Sequence, residues 1–282
     1  MVSLGVLLAL AISTSAVAQG RAPAARPGWP QSLTLAVLPY QAVPHLHDVW
    51  TPVAEYLTRE MGIPVKITTA RLYEEYVRQV LASRPELAYF NPPHYLAARR
   101  DGGYEAFVSP GDKAMGRIVV LAASPIRALA DLRGRKISLL PPSAFAARIQ
   151  PEAFLRDHGL VAGRDYTLVE VPTTDASLNG VVAGKVDAAG TGMRPSDALP
   201  GSIKSRLRIL AETPPQPDVL LGLRGDLAQG LKEALARTLL ALGESPEGRA
   251  VLAPIGWKKL IRARDADDDV TGAFARKLGL AY

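Results

Sequence analysis

The 282-residue chain contains no cysteine. Disulfides, thiolate nucleophiles and cysteine-ligated zinc or iron-sulfur sites are therefore excluded, and the core must hold without covalent staples. Aromatic residues are scarce, at 6%. No RNA- or DNA-binding motif accompanies the basic residues, so nucleic acid is not an expected partner. No stretch reaches the roughly 18 apolar residues of a permanent membrane span. Catalytic signatures are missing as well: there is no G-x-S-x-G elbow, no H-E-x-x-H pair and no G-x-x-x-x-G-K-S/T phosphate loop. These gaps point away from an enzyme and give no reason to expect a cofactor.

The formal net charge is +6, with the basic residues dispersed in short clusters such as Arg99-Arg100 and Lys258-Lys259. Such a surplus steers anionic partners toward the surface. Residues 1–18 carry no charge and hold an apolar run from Val2 to Ile12 ending in Ala16-Val17-Ala18. That pattern predicts a secretory signal cut before Gln19, and hence an exported protein. Residues 19–32, with Pro23, Pro27, Pro30, Gly20 and Gly28, read as a leader rather than core.

From Leu33 onward, apolar stretches of strand and helix period alternate. Leu33 to Leu38, Val65 to Thr68, Leu87 to Phe90, Arg117 to Ala122 and Lys136 to Leu140 read as strands, with helices over Val49 to Met61, Leu72 to Leu81 and Pro92 to Arg100. The order predicts an α/β fold with mostly parallel sheets flanked by helices. Residues 81–92 and 182–193 repeat one helix-turn-strand pattern at a shift of 101 residues (183 − 82). Two related lobes with a cleft between them are the expectation, because ligands collect at the carboxyl ends of strands and the amino ends of the following helices. The Pro-rich break from Thr213 to Pro217 predicts one of two crossings, giving lobe one as 33–120 plus 218–282 and lobe two as 121–217.

Several segments together resemble a known family. They are Val49-Trp50-Thr51-Pro52-Val53, Glu86-Leu87-Ala88-Tyr89-Phe90-Asn91-Pro92-Pro93-His94-Tyr95, Leu129-Ala130-Asp131-Leu132-Arg133-Gly134, Gly184-Lys185-Val186-Asp187-Ala188 and Ser245-Pro246-Glu247-Gly248-Arg249. The chain is similar to the periplasmic solute-binding proteins of phosphonate, phosphite and phosphate ABC transporters, which have the type II periplasmic-binding fold. The resemblance implies a monomer that closes on a small anionic solute and delivers it to an ABC permease in the inner membrane. A second reading has the liganded protein dock on a membrane sensor histidine kinase, and a third is an exported enzyme on the same fold. Where such proteins open the second-lobe helix with a Ser-Thr-Ser run, this chain has Pro142-Ser143-Ala144-Phe145-Ala146. Thr174 stands where the resemblance implies a histidine, and Phe90 where it implies a tyrosine.

The candidate ligand-binding residues are Tyr40, Tyr89, Asn91, His94, Ser143, Ala144, Phe145, Thr173, Thr174 and Arg194. Ser143 is expected to cap the helix that follows, with the amides of Ala144 and Phe145 free to meet an oxyanion. Asn91 either caps the Pro92 helix or faces the ligand, and Tyr89 either joins the core or lines the cleft. His94 and Tyr95 divide evenly between a half-buried polar pair and ligand contacts. Thr173 and Thr174 open a helix with hydroxyl donors. Arg194, after Gly190-Thr191-Gly192, is placed to pair with an oxyanion, with Lys113 and Arg117 as weaker candidates. His45 and His47 with Asp48 form the only local metal-like cluster and read as a solvated loop, so no metal is expected.

Overall fold

The computed structural model describes residues 27–40, 43–265, 272, 273, 276, 278 and 279. The predicted signal segment and most of the leader lie outside the described residues, as does Asp267-Asp268-Asp269, a carboxylate run that the sequence suggests caps or solvates a last helix. Strand β1 (Leu33–Val37) gives way at Pro39, which has no N–H for a ladder. Helix α1 (Val43–Met61) buries Leu46, Val49, Trp50, Val53, Ala54, Leu57 and Met61, three or four residues apart along one face, and Gly62 ends it at φ +67°. It begins earlier than the periodicity predicts, because Pro44 suits a first turn. His45, His47 and Asp48 therefore lie on a helix and not in a loop.

The chain continues through β2 (Val65–Thr69), α2 (Tyr73–Ser83), β3 (Leu87–Phe90), α3 (Pro92–Gly102) and β4 (Tyr104–Ser109). After the short β5 (Lys113–Ala114) it enters a second sheet with β6 (Gly116–Leu121), β7 (Lys136–Leu139), α4 (Gln150–Asp157), β8 (Thr167–Glu170), α5 (Thr174–Val182), β9 (Ala188–Gly192), α6 (Met193–Asp197), α7 (Gly201–Lys204) and β10 (Leu207–Glu212). It returns through β11 (Gln216–Pro217) to β12 (Leu220–Arg224), α8 (Gln229–Ala241), α9 (Pro246–Leu252) and β13 (Ile261–Arg262).

One sheet runs β13-β4-β12-β3-β1-β2 and the other β10-β6-β9-β7-β8. Only part of each is parallel: β1 with β2 and β3, and β7 with β8 and β9. The returning β12 inserts antiparallel between β3 and β4, and β6 lies antiparallel between β9 and β10. These two strands enter directly from the crossings, without the helix that a parallel connection needs, so the expectation of mostly parallel sheets holds for three strands of each sheet.

Each sheet has its own core. The first gathers Trp50, Tyr76, Phe90, Tyr95 and Tyr104 around β1, β3 and β12. The second is split by its sheet into a cluster with Ile118, Leu139 and Leu155 and another with Leu178 and Val181. Because β6 belongs to the second sheet, the first crossing falls at β5, earlier than the boundary near 120 expected from sequence. There β5 and β11 pair antiparallel, Ala114 opposite Gln216 and Lys113 opposite Pro217, so the two crossings run side by side.

Candidate functional site

The carboxyl ends of β1 and β3 lead to Tyr40 and Asn91, and those of β7, β8 and β9 lead to Ser143, Thr173 and Arg194. Asn91 does two things at once. Its Oδ1 accepts the His94 amide at 3.0 Å, capping α3 behind Pro92 and Pro93, while its Nδ2 donates to the Ser143 carbonyl at 2.9 Å. The second bond joins the two sheets.

Ser143 does not cap a helix. The Ala144 amide closes a turn onto the Pro141 carbonyl at 2.9 Å, and Phe145–Ile149 then form one π-helical turn before α4. Pro151, in the first turn of α4, has no N–H for an α-helical bond to the carbonyl of Ala147, which favours the wider turn. The turn lies directly on the second sheet: a Cβ at Gly116 would come within 2.8 Å of the Ala146 carbonyl oxygen, and one at Gly190 within 3.1 Å of that of Ala147. Glycines on β6 and β9 are therefore what let the turn sit so close. Among the described residues the amides of Phe145, Ala146 and Ala147 have no acceptor, with Ile149 bonding to Ala144 and Gln150 to Phe145. The Ser143 Oγ is buried without a hydrogen-bond partner among the described residues. The buried Arg148 braces this turn, donating to the Leu140 carbonyl at 3.0 Å and pairing with Glu152 and with Glu170, the latter at 3.3 Å.

On the opposite side, Tyr89 belongs to an aromatic cluster. Its ring lies 4.9 Å from Trp50 and 5.7 Å from both Tyr40 and Trp257. The Tyr40 hydroxyl accepts from Trp50 Nε1 at 3.1 Å, leaving the phenol 40% exposed at the rim. Burial raises the Tyr40 phenol pKa, so it stays a neutral donor. His94 is buried, and burial pushes its imidazole down to about 3. It is uncharged at neutral pH and supplies no cation to the site. Tyr95 turns away to bond Asp265, an internal tie of the first lobe.

Thr173 accepts the Ala176 amide at 3.1 Å and so caps α5, with Thr174 half-buried beside it. Arg194 is engaged elsewhere: its Nη2 lies 2.7 Å from Asp218 and 3.0 Å from Asp112, at the crossings. Arg117 is buried under Ser196, Asp197 and Glu212, while Lys113 is exposed on β5. Sequence reasoning missed Arg148 and the two acidic residues at the crossings. Arg148 carried a signal, an Arg148-x-x-x-Glu152 pair at helical spacing. Two cavities lie away from this cleft, one of about 410 Å³ between α1 and β2 and one of about 550 Å³ around Gly163 to Leu168. Neither includes Asn91 or Ser143. Among the described residues no group of three or more His, Asp or Glu side chains could hold a metal.

The sequence profile of the phosphonate ABC transporter periplasmic substrate-binding proteins matches residues 35–268. The chain belongs to this family. Two relatives are the Phosphate-import protein PhnD of Mycolicibacterium smegmatis, 24% identical over 62% of this chain and 55% of that protein, and the Phosphonates-binding periplasmic protein of Escherichia coli, 20% identical over 80% and 71%. The match thus spans about half the length of the first. Among solved structures, PhnD1 from Prochlorococcus marinus in complex with methylphosphonate superposes with a TM-score of 0.78 at 18% identity, covering 89% of this chain and 99% of that one. Members of the family are substrate-binding proteins, not enzymes.

Proposed function

We propose that the protein is a periplasmic binding protein, processed after Ala18, whose two lobes close on a small oxyanion such as a phosphonate, phosphite or phosphate and pass it to an inner-membrane ABC permease. The observation that carries this reading is the turn at Ser143, where open amides and a buried hydroxyl, both without a hydrogen-bond partner among the described residues, stand opposite Asn91. Amides at the start of a helical segment hold an anion through aligned dipoles and charge-assisted hydrogen bonds, without a charged side chain. Asn91, Tyr89 and Tyr40 form the first-lobe wall, and Ser143, the amides of the following turn, Thr173 and Thr174 form the second. The lobes comprise the six-stranded and five-stranded sheets, and the unit is a monomer. The family match favours a permease over a histidine kinase as the membrane partner.

Titration calorimetry with methylphosphonate, phosphite, phosphate, sulfate and acetate tests the reading. At least one phosphorus oxyanion should bind, with compaction in small-angle scattering. Absence of heat and of compaction with every member of the panel overturns it.

A further inference from the structure

The paired crossings carry two facing carboxylates. Continuing the antiparallel register of β5 and β11 by one step beyond Lys113 and Pro217 sets Asp112 opposite Asp218. Like charges directly opposite in a ladder repel. The Asp218 side chain is only 16% exposed, so water screens it poorly. Arg194 answers both: one nitrogen, Nη2, lies within 3.0 Å of each carboxylate.

Arg194 reaches them from the other lobe. It stands on α6, which is fixed to the second sheet by Arg117 of β6, which pairs with Asp197 and Ser196 at 2.6 Å. The two aspartates lie on the first-lobe side of the β5 and β11 pairing, next to β4 and β12. The ion pairs therefore bridge the second lobe to the first beside the paired crossings. The same arrangement holds the Asn91 to Ser143 bond across the cleft.

We propose that Arg194 is a positioning residue, a clamp from the second lobe over Asp112 and Asp218 that favours the closed arrangement and thereby raises the affinity of the cleft for its ligand. The consequence for affinity rests on the anion-binding reading above. The consequence for lobe geometry does not.

The absence of native cysteine makes the test direct. Spin labels at the exposed positions Lys66 and Lys185, introduced as Lys66→Cys and Lys185→Cys, report the interlobe distance of the full chain without ligand. Arg194→Ala should shift the distribution to longer distances and weaken methylphosphonate binding about tenfold, inside the usual range of conformational coupling. Adding Asp112→Asn to that variant removes the repulsion and should restore both readouts in part, and Arg194→Lys should do likewise. An anion contact made by Arg194 itself would not be rescued by Asp112→Asn. Unchanged distances in Arg194→Ala, with the variant folded by circular dichroism, overturn the clamp. If the parent binds neither methylphosphonate nor phosphate, the anion reading fails and the distances still decide the clamp.

Discussion

Asn91 donates from Nδ2 to the main-chain carbonyl of Ser143 at 2.9 Å, so the residue that caps α3 in one lobe also bonds the other lobe. The two roles use different atoms, which makes them separable. Asn91→Asp keeps an oxygen for the His94 amide but loses the donor. Its melting temperature should fall, because a buried carboxylate oxygen then faces the Ser143 carbonyl, and anion affinity should fall too, since a carboxylate then faces the bound charge. Asn91→Ala loses the cap too, at about 1 kcal/mol. Thermal melts and calorimetry on both variants check this, and equal affinity in Asn91→Asp and the parent would remove Asn91 from the site.

The Ser143 hydroxyl is buried without a partner among the described residues, a cost to folding that a ligand would repay. Ser143→Ala should therefore leave stability unchanged or slightly raised. Binding of methylphosphonate should weaken about tenfold, the size of one charge-assisted hydrogen bond. A loss of stability with unchanged binding would mean that the hydroxyl serves the fold alone.

What could be read from the chain was local. Strand positions, the Pro92 helix with its Asn91 cap and the crossing near Thr213 follow from periodicity, proline and side-chain chemistry within a few residues. The sheet to which β6 belongs does not, because a strand of apolar residues looks the same in either sheet. The π turn after Ser143 depends on Gly116 and Gly190 lying beneath it, residues far apart in sequence. Arg194 was recognisable as a charged residue at a strand end, but its partners Asp112 and Asp218 come from both crossings, and only the fold brings them together.

His94 gives a stability signature with a definite sign. Its imidazole is held near 3 by burial against about 6.5 in the unfolded chain. Between those values the unfolded state binds a proton that the folded state does not, so stability falls as pH drops below about 6.5. At pH 5 this amounts to about 2 kcal/mol. His94→Gln should flatten the decline in melting temperature between pH 6.5 and pH 4 relative to the parent. Parallel curves for the two proteins would show that the imidazole is accessible to protons in the folded state.

Gly190 tests whether the turn must rest on the sheet. A Cβ there would lie 2.2 Å from Leu139 Cδ2 and 3.1 Å from the Ala147 carbonyl oxygen, so Gly190→Ala forces either the core leucine or the turn to move. Overpacking of this kind costs about 1–3 kcal/mol. Gly230, on α8, has nothing within 4 Å of the place an alanine methyl would take and ordinary helical backbone, and Gly230→Ala should stabilise by about 0.5–1 kcal/mol. The comparison separates a general effect of alanine from the close approach at β9. If the turn carries the anion site, Gly190→Ala should also weaken methylphosphonate binding by more than its loss of stability explains at a temperature where the variant is fully folded, whereas Gly230→Ala should bind like the parent. Full affinity in folded Gly190→Ala would show that the leucine yields instead, and that the height of the turn above the sheet does not govern binding.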